Sequence, residues 1–216
     1  MPQTTVVSFR QEWQEAWQTP GFRPKVMIGL LIVATILSLF PAFFQMIEKR
    51  QGVVLNDLLL RMLPAHNISV PLFIVIWSIS LLTIFRAARN PQIFLTYLWA
   101  FILLSLFRTA TIALVPLNAP IGLIGLVDPL SNFFYGDKFV TKDLFFSGHT
   151  SAVFLQYLCL TGKLDKKLAL MATVVVGFLL LVQHVHYTMD VLGGFVFAWI
   201  AWQIVRKTLV RDNSLQ

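Results

Sequence analysis

Residues 26–47 read VMIGLLIVATILSLFPAFFQMI, a run without a single Asp, Glu, Lys or Arg. At about 1.5 Å of rise per residue, such a run crosses the roughly 30 Å hydrocarbon core of a bilayer as one helix. Working outward, apolar stretches recur at 68–85, 93–115, 145–161, 168–183 and 191–205. The last three are short for full spans, and residues of the adjoining loops are expected to complete them. Whole-chain composition agrees. Of 216 residues, 57% are apolar and 12% charged, and mean hydropathy is +0.74. Soluble domains carry about 25% charged residues. This chain has too little polar surface to cover a water-soluble globule, which also excludes a disordered or collagen-like chain. The expected fold class is all-α: a polytopic membrane protein, a single domain over 1–216, with six transmembrane helices.

The first 25 residues lack the pattern of a cleaved signal. Ser8 and Gln11 have capping-box spacing, and Phe9, Trp13 and Trp17 recur every fourth residue. A short amphipathic helix over 8–19, lying in the membrane interface, is expected. With 17 Lys+Arg against 10 Asp+Glu, the net charge is +7. Eleven of the basic residues fall on the side of both termini, five on the opposite side, and Arg108 lies within the third span. The positive-inside rule then places both termini in the cytoplasm. The basic balance is thereby explained as topology, and no nucleic-acid partner is expected. Cys159 is the lone cysteine, so no internal disulfide forms.

Ionisable groups at membrane depth are expensive and by default functional. With the orientation fixed, several gather at the outer ends of their spans. Arg108 lies near the end of the third, His149 in FFSGHT begins the fourth, and His184, His186 and Asp190 in HVHYTMD join the fifth to the sixth. His186 and Asp190, four apart, share one face if helical. A carboxylate on one imidazole nitrogen fixes the tautomer and leaves the other nitrogen as nucleophile or base. His149 supplies a complementary acid. Ser147 and Gly148 stand where a helix begins, and backbone N–H groups there suit a phosphate. Arg108 adds a two-pronged donor for the same anion. Together these predict phosphoryl transfer through a phosphohistidine. Zinc held by His149, His186 and Asp190 is the rival chemistry, but it leaves Arg108 repelled and the Ser–Gly helix start unexplained. Neither metal nor cofactor is expected. His66 and His184 read as packing residues.

At these residues the chain resembles the type-2 phosphatidic acid phosphatase superfamily, most closely its sphingomyelin-synthase-like branch. The Ser-Gly-His-Thr motif is present as Ser147–Thr150 after Lys142 and Asp143, and His-Tyr-Thr-x-Asp-Val as His186–Val191. An earlier motif is partly matched by Arg108, Thr111, Leu117 and Pro120, with Asn118 in place of a proline. The likeness spans residues 108–205. It implies that His186 attacks phosphorus, Asp190 orients it, and His149 protonates the leaving alcohol and then serves as base for the acceptor. It also implies substrate contacts from Arg108, Ser147, Gly148, Lys142 and Tyr187, with no metal. Val185 stands where these relatives carry an acidic residue, and Ile200 where they carry an arginine. Phosphate neutralisation is therefore expected to fall on Arg108, with Lys138 and Lys142 as candidates.

The long, partly apolar loop over 116–143, with its apolar patches at 121–127 and 133–135, is expected to lie along the outer leaflet and shape lipid entry. Gly193 and Gly194 are expected to permit close helix packing. Membrane lipids are the expected partners, as donor and acceptor of a phospho-headgroup. The expected place is a membrane, with a bacterial inner membrane read from the chain's compactness and the site facing the extracytoplasmic leaflet. A lipid phosphate phosphatase would use the same site with water as acceptor. A non-catalytic lipid transporter or scaffold is the reading from another class.

Overall fold

A computed structural model describes residues 8–126 and 140–210. Lys138, residues 133–135 and the middle of the 116–143 loop, all singled out above, lie outside the described residues. The described residues form eight α-helices: α1 (Phe9–Gln18), α2 (Phe22–Glu48), α3 (Leu58–Met62), α4 (Ser69–Arg89), α5 (Pro91–Leu114), α6 (Gly148–Cys159), α7 (Lys163–Val182) and α8 (Thr188–Val205). A π-helical turn, Arg206–Val210, continues α8. No sheet occurs among them; Val53 and Leu117 form an isolated bridge.

Helix α1 begins as its spacing predicts. The Ser8 N–H donates to Gln11 Oε1 at 2.8 Å, and Ser8 Oγ accepts from the Arg10 N–H at 3.3 Å. Trp13 and Trp17 both pack edge-on against Phe22, and the Trp13 indole donates to the Ala88 carbonyl at 2.8 Å. α1 is thus pinned to the start of α2 and the end of α4.

Among the described residues, four helices are long and apolar enough to cross a membrane: α2, α4, α5, and α8 extended to Leu209. The other two expected spans are weaker. Helix α6 has only 12 residues, about 18 Å of rise. Helix α7 opens with Lys163, Asp165, Lys166 and Lys167, so its apolar part begins at Leu168. These six helices nevertheless alternate in direction. One end of the bundle gathers the start of α2, the end of α4 and the start of α7, where Arg86 Nε meets Asp165 Oδ2 at 2.7 Å. The other end gathers the start of α6 and the start of α8, joined by a Ser147 N–H to Asp190 carbonyl bond of 2.9 Å.

Helix α6 sits at the centre, packed against α4, α5, α7 and α8. Its crossing with α8 depends on Gly194, where a Cβ would come within 3.2 Å of the Ser147 carbonyl and the Ser151 nitrogen. Missing side-chain volume lets the two backbones approach, as small residues do at helix crossings in lipid. Gly177 of α7 leaves room for the Val191 side chain of α8, which a Cβ would meet at 3.0 Å.

The site end is closed by loops tied to the turn between α7 and α8. Gln183 donates to Ser69 Oγ at 2.8 Å and to the Gly125 carbonyl at 3.1 Å. His184 places Nδ1 3.0 Å from the Ile121 carbonyl and Nε2 2.9 Å from the Leu63 carbonyl. It adopts φ +53°, a left-handed conformation uncommon outside glycine. The two loops clasped by this ring hold the backbone in place around it. The expected packing role of His184 is therefore a specific one: it ties together the segments on either side of the site.

Candidate active site

His186 stands just before α8, in the turn that the helix grows out of, and Asp190 is in the first turn of α8. The two side chains do meet, with Nδ1 and Oδ2 3.4 Å apart. The expectation that they share a continuous helical face needs correction. The approach is made across a helix start: Asp190 Oδ2 also accepts the Tyr187 N–H at 2.9 Å, so the carboxylate caps its own helix while facing the imidazole. An acceptor in the first turn satisfies an N–H that the helix cannot. The pair is deeply enclosed, with His186 2% and Asp190 0% exposed. Since Nδ1 faces the carboxylate, Nε2 is the nitrogen left for the cavity that His186 lines.

His149 lies in the first turn of α6. Ser147 caps this helix, its Oγ accepting the Thr150 N–H at 3.3 Å. Because Ser147 N–H also donates to the Asp190 carbonyl, the two histidine-bearing helix starts are held by one backbone bond. The His149 ring packs edge-on against Phe73 of α4, centroids 5.9 Å apart.

Arg108 arrives from α5, and its guanidinium lies directly against Gly148. A Cβ there would fall 2.6–2.8 Å from Nη2 and Nε. The glycine is required because the guanidinium occupies the space a side chain would take. Arg108 is further held by an ion pair with Asp143 and lies 5.7 Å above the Phe44 ring. Asp143 reaches it because residues 140–143 are clasped to the end of α2. Glu48 accepts the backbone N–H groups of Thr141 and Lys142 at 3.0 and 3.1 Å. Arg50 caps the other side, donating to the carbonyls of Ile112 and Ala113 at the end of α5 at 2.8 and 2.7 Å. A cation at a helix C-terminus is favourably placed.

Arg108, Gly148, His149 and His186 all line one cavity of about 260 Å³, together with Asp143 and Thr141. Three other expected contacts do not face it. The Lys142 ammonium is bonded to the Arg50 carbonyl. The Tyr187 hydroxyl accepts from the Leu55 N–H at 3.1 Å and donates to the Asn118 carbonyl at 2.9 Å, tying two loops together. Ser147 is fully buried as the cap of α6 rather than as a wall of the cavity. Sequence reasoning missed Asp143 as the partner of Arg108. Among the described residues, no group of three or more His, Cys, Asp or Glu side chains is arranged to hold a metal ion.

Asp57 was also missed. Its carboxylate accepts the Thr188 N–H at 2.6 Å and the Thr188 hydroxyl at 2.9 Å, fixing the first residue of α8 from outside the bundle. Burial alone would raise this carboxyl. The bonds from Thr188, Leu60 and Leu59 together outweigh burial and hold it below its ordinary value. A carboxylate depressed in the folded state contributes stability that is present above the unfolded pKa, about 3.9, and is lost as pH falls through the folded value. Asp57→Asn is therefore expected to lower the thermal midpoint at neutral pH. Asparagine still caps the helix about as well as aspartate, so what is lost is the charge on these bonds rather than the cap itself. The difference from the parent should shrink as pH falls below about 4 and vanish only below the folded value, which melting curves across pH will show.

Fold and site together define a helical membrane protein with a buried His–Asp pair, a second histidine and an arginine around one cavity. Residues 142–208 match the family described as PAP2 superfamily C-terminal. The match supports the type-2 phosphatidic acid phosphatase superfamily and, with it, an enzyme of the lipid phosphatase or phosphotransferase type. No curated protein and no solved structure matches the chain significantly.

Proposed function

We propose that the protein is a metal-independent lipid phosphotransferase of the sphingomyelin-synthase-like kind, with six spans, both termini cytoplasmic and the site at the extracytoplasmic leaflet. The reading rests on one observation above others: His186, braced by Asp190, lines the same cavity as His149 and Arg108. His186 Nε2 attacks the phosphorus of a glycerophospholipid. The bond from phosphorus to the glycerol oxygen breaks, and the leaving alkoxide takes a proton from His149. The headgroup phosphate is left on His186. A second lipid alcohol, ceramide- or diacylglycerol-like, then gives its proton to His149 as its oxygen attacks phosphorus and frees His186. Arg108, with the N–H groups that open α6, holds the phosphate oxygens through both steps.

A lipid acceptor is favoured over water by the cavity walls. Phe40, Phe44, Ile76, Phe101 and Leu104 carry it away from the histidines into the apolar part of the bundle. The test is reconstitution with headgroup-labelled phospholipid, with and without an added lipid alcohol. Label on a new lipid only when the alcohol is present is the expected result. Free phosphate released from a lipid monophosphate without acceptor would instead identify a phosphatase. Loss of activity on adding EDTA would overturn the metal-free mechanism.

Gly148→Ala provides a geometric check. The added methyl must displace the Arg108 guanidinium, and misplacement of a catalytic group by about 1 Å costs about a hundredfold in rate. Transfer activity is expected to fall by about that factor while the melting temperature stays near the parent's.

A further inference from the structure

The cavity does not end at the reactive groups. Along α6, His149, Val153 and Gln156 point into it from one face, and Gln156 lies seven residues, about 10 Å, further into the bundle. Two neighbouring helices agree on this depth. Phe73, which packs on His149, and Ser80 are seven residues apart on α4; Arg108 and Phe101 are seven apart on α5. At that level the Gln156 Nε2 donates to Ser80 Oγ at 3.0 Å, bridging α6 and α4. Tyr97 from α5 lies against the same amide. Gln156 is only 4% exposed, and its Oε1 is buried with no hydrogen-bond partner.

A buried amide oxygen left without a donor is unfavourable anywhere and more so in an apolar bundle. The bond to Ser80 accounts for the amide nitrogen but not for the oxygen. Beyond Gln156 the same side of α5 lines a second, almost wholly apolar groove of about 440 Å³. That groove runs from Phe101 to Phe94 between Val33 of α2 and Ile84 of α4. Phe101 lines both spaces. A hydrocarbon chain anchored by its phosphate at the histidines would pass Gln156 on its way into this groove.

Resting on the function proposed above, the geometry points to Gln156 and Ser80 as a specificity subsite inside the membrane, one that recognises a hydrogen-bond donor on the lipid inward of the reacting phosphate. The donor is an amide N–H or a hydroxyl on the chain, bonded to Gln156 Oε1. An ester-linked, unhydroxylated lipid has no such group and leaves Oε1 unpaired. A site built to pair a polar group discriminates strongly against the analogue that lacks it.

The full-length protein in phosphatidylcholine vesicles tests this with three matched acceptor alcohols: a diester, the same lipid with one amide-linked chain, and a diester with a 3-hydroxyacyl chain. The expected result is a kcat/KM at least tenfold higher for one or both donor-bearing lipids than for the plain diester. In Gln156→Met, which keeps the side-chain length, the ratio should fall toward one, and Ser80→Ala should lower it partway. Competitive binding of the same lipids to detergent-purified protein, read by native mass spectrometry, separates the two proposals. Selective binding that Gln156→Met abolishes, without turnover of any lipid, upholds the subsite and overturns the transferase. Equal turnover and equal binding of all three lipids overturns the subsite, as does a preference that survives in Gln156→Met.

Discussion

His186→Ala is expected to reduce headgroup transfer at least about a thousandfold while leaving the protein folded, because it removes the atom that carries the phosphate. The fold should tolerate the change. The loops around the site are held by Gln183, His184 and Tyr187, none of which hydrogen-bonds through the His186 ring. A melting temperature close to the parent's, together with lost transfer, is the expected pair of measurements. Full activity in His186→Ala would reject an enzyme built on this histidine and leave a lipid transporter or scaffold.

Asp190→Asn separates orientation from architecture. The asparagine keeps an oxygen that can accept the Tyr187 N–H, now donated to Asp190 Oδ2 at 2.9 Å, so the start of α8 should survive. What is lost is a carboxylate facing His186 Nδ1. A neutral amide no longer stabilises the imidazole proton on that nitrogen, nor the charge the ring gains during transfer. Losses of about a thousandfold or more are known for this kind of exchange in a His–Asp pair. Activity is expected to drop by at least about a hundredfold with little change in stability. Asp190→Ala should add a loss of about 1 kcal/mol, because the cap goes as well. Wild-type rates in Asp190→Asn would show that the carboxylate does not orient the nucleophile.

The bilayer-spanning runs and the cluster of ionisable groups were legible because charge is scarce in this chain. Against such a background Arg108, His149, His186 and Asp190 stand out, and the structure brings all four to one end of the bundle. The details were less legible. The spacing of His186 and Asp190 is helical, yet the helix starts between them, because Asp190 is used to begin it. Lys142 and Tyr187 sit within recognised motifs, but their polar ends are spent on Arg50, Leu55 and Asn118, through contacts far away in sequence that no local pattern records. Asp143 was visible only as a flanking residue; its pairing with Arg108 depends on Glu48 clasping the chain 93 residues away. Gln156 was overlooked because it carries no charge. Its signal was its position, seven residues after His149 on the face that His149 occupies.

The bond between Ser147 and the Asp190 carbonyl bears on how this protein can be altered. It makes the two histidine-bearing helix starts one mechanical unit, and Gly194 presses α8 against the same backbone. A change that shifts one histidine must shift the other, so this unit offers little room for adjusting lipid choice by increments. Helices α2 and α4 stand outside it and form the opposite wall of the cavity. Diversification of substrate range, by selection or by design, is therefore best sought at Phe40, Ile76 and Ser80, where a library can vary the lipid-facing wall without touching the reaction frame.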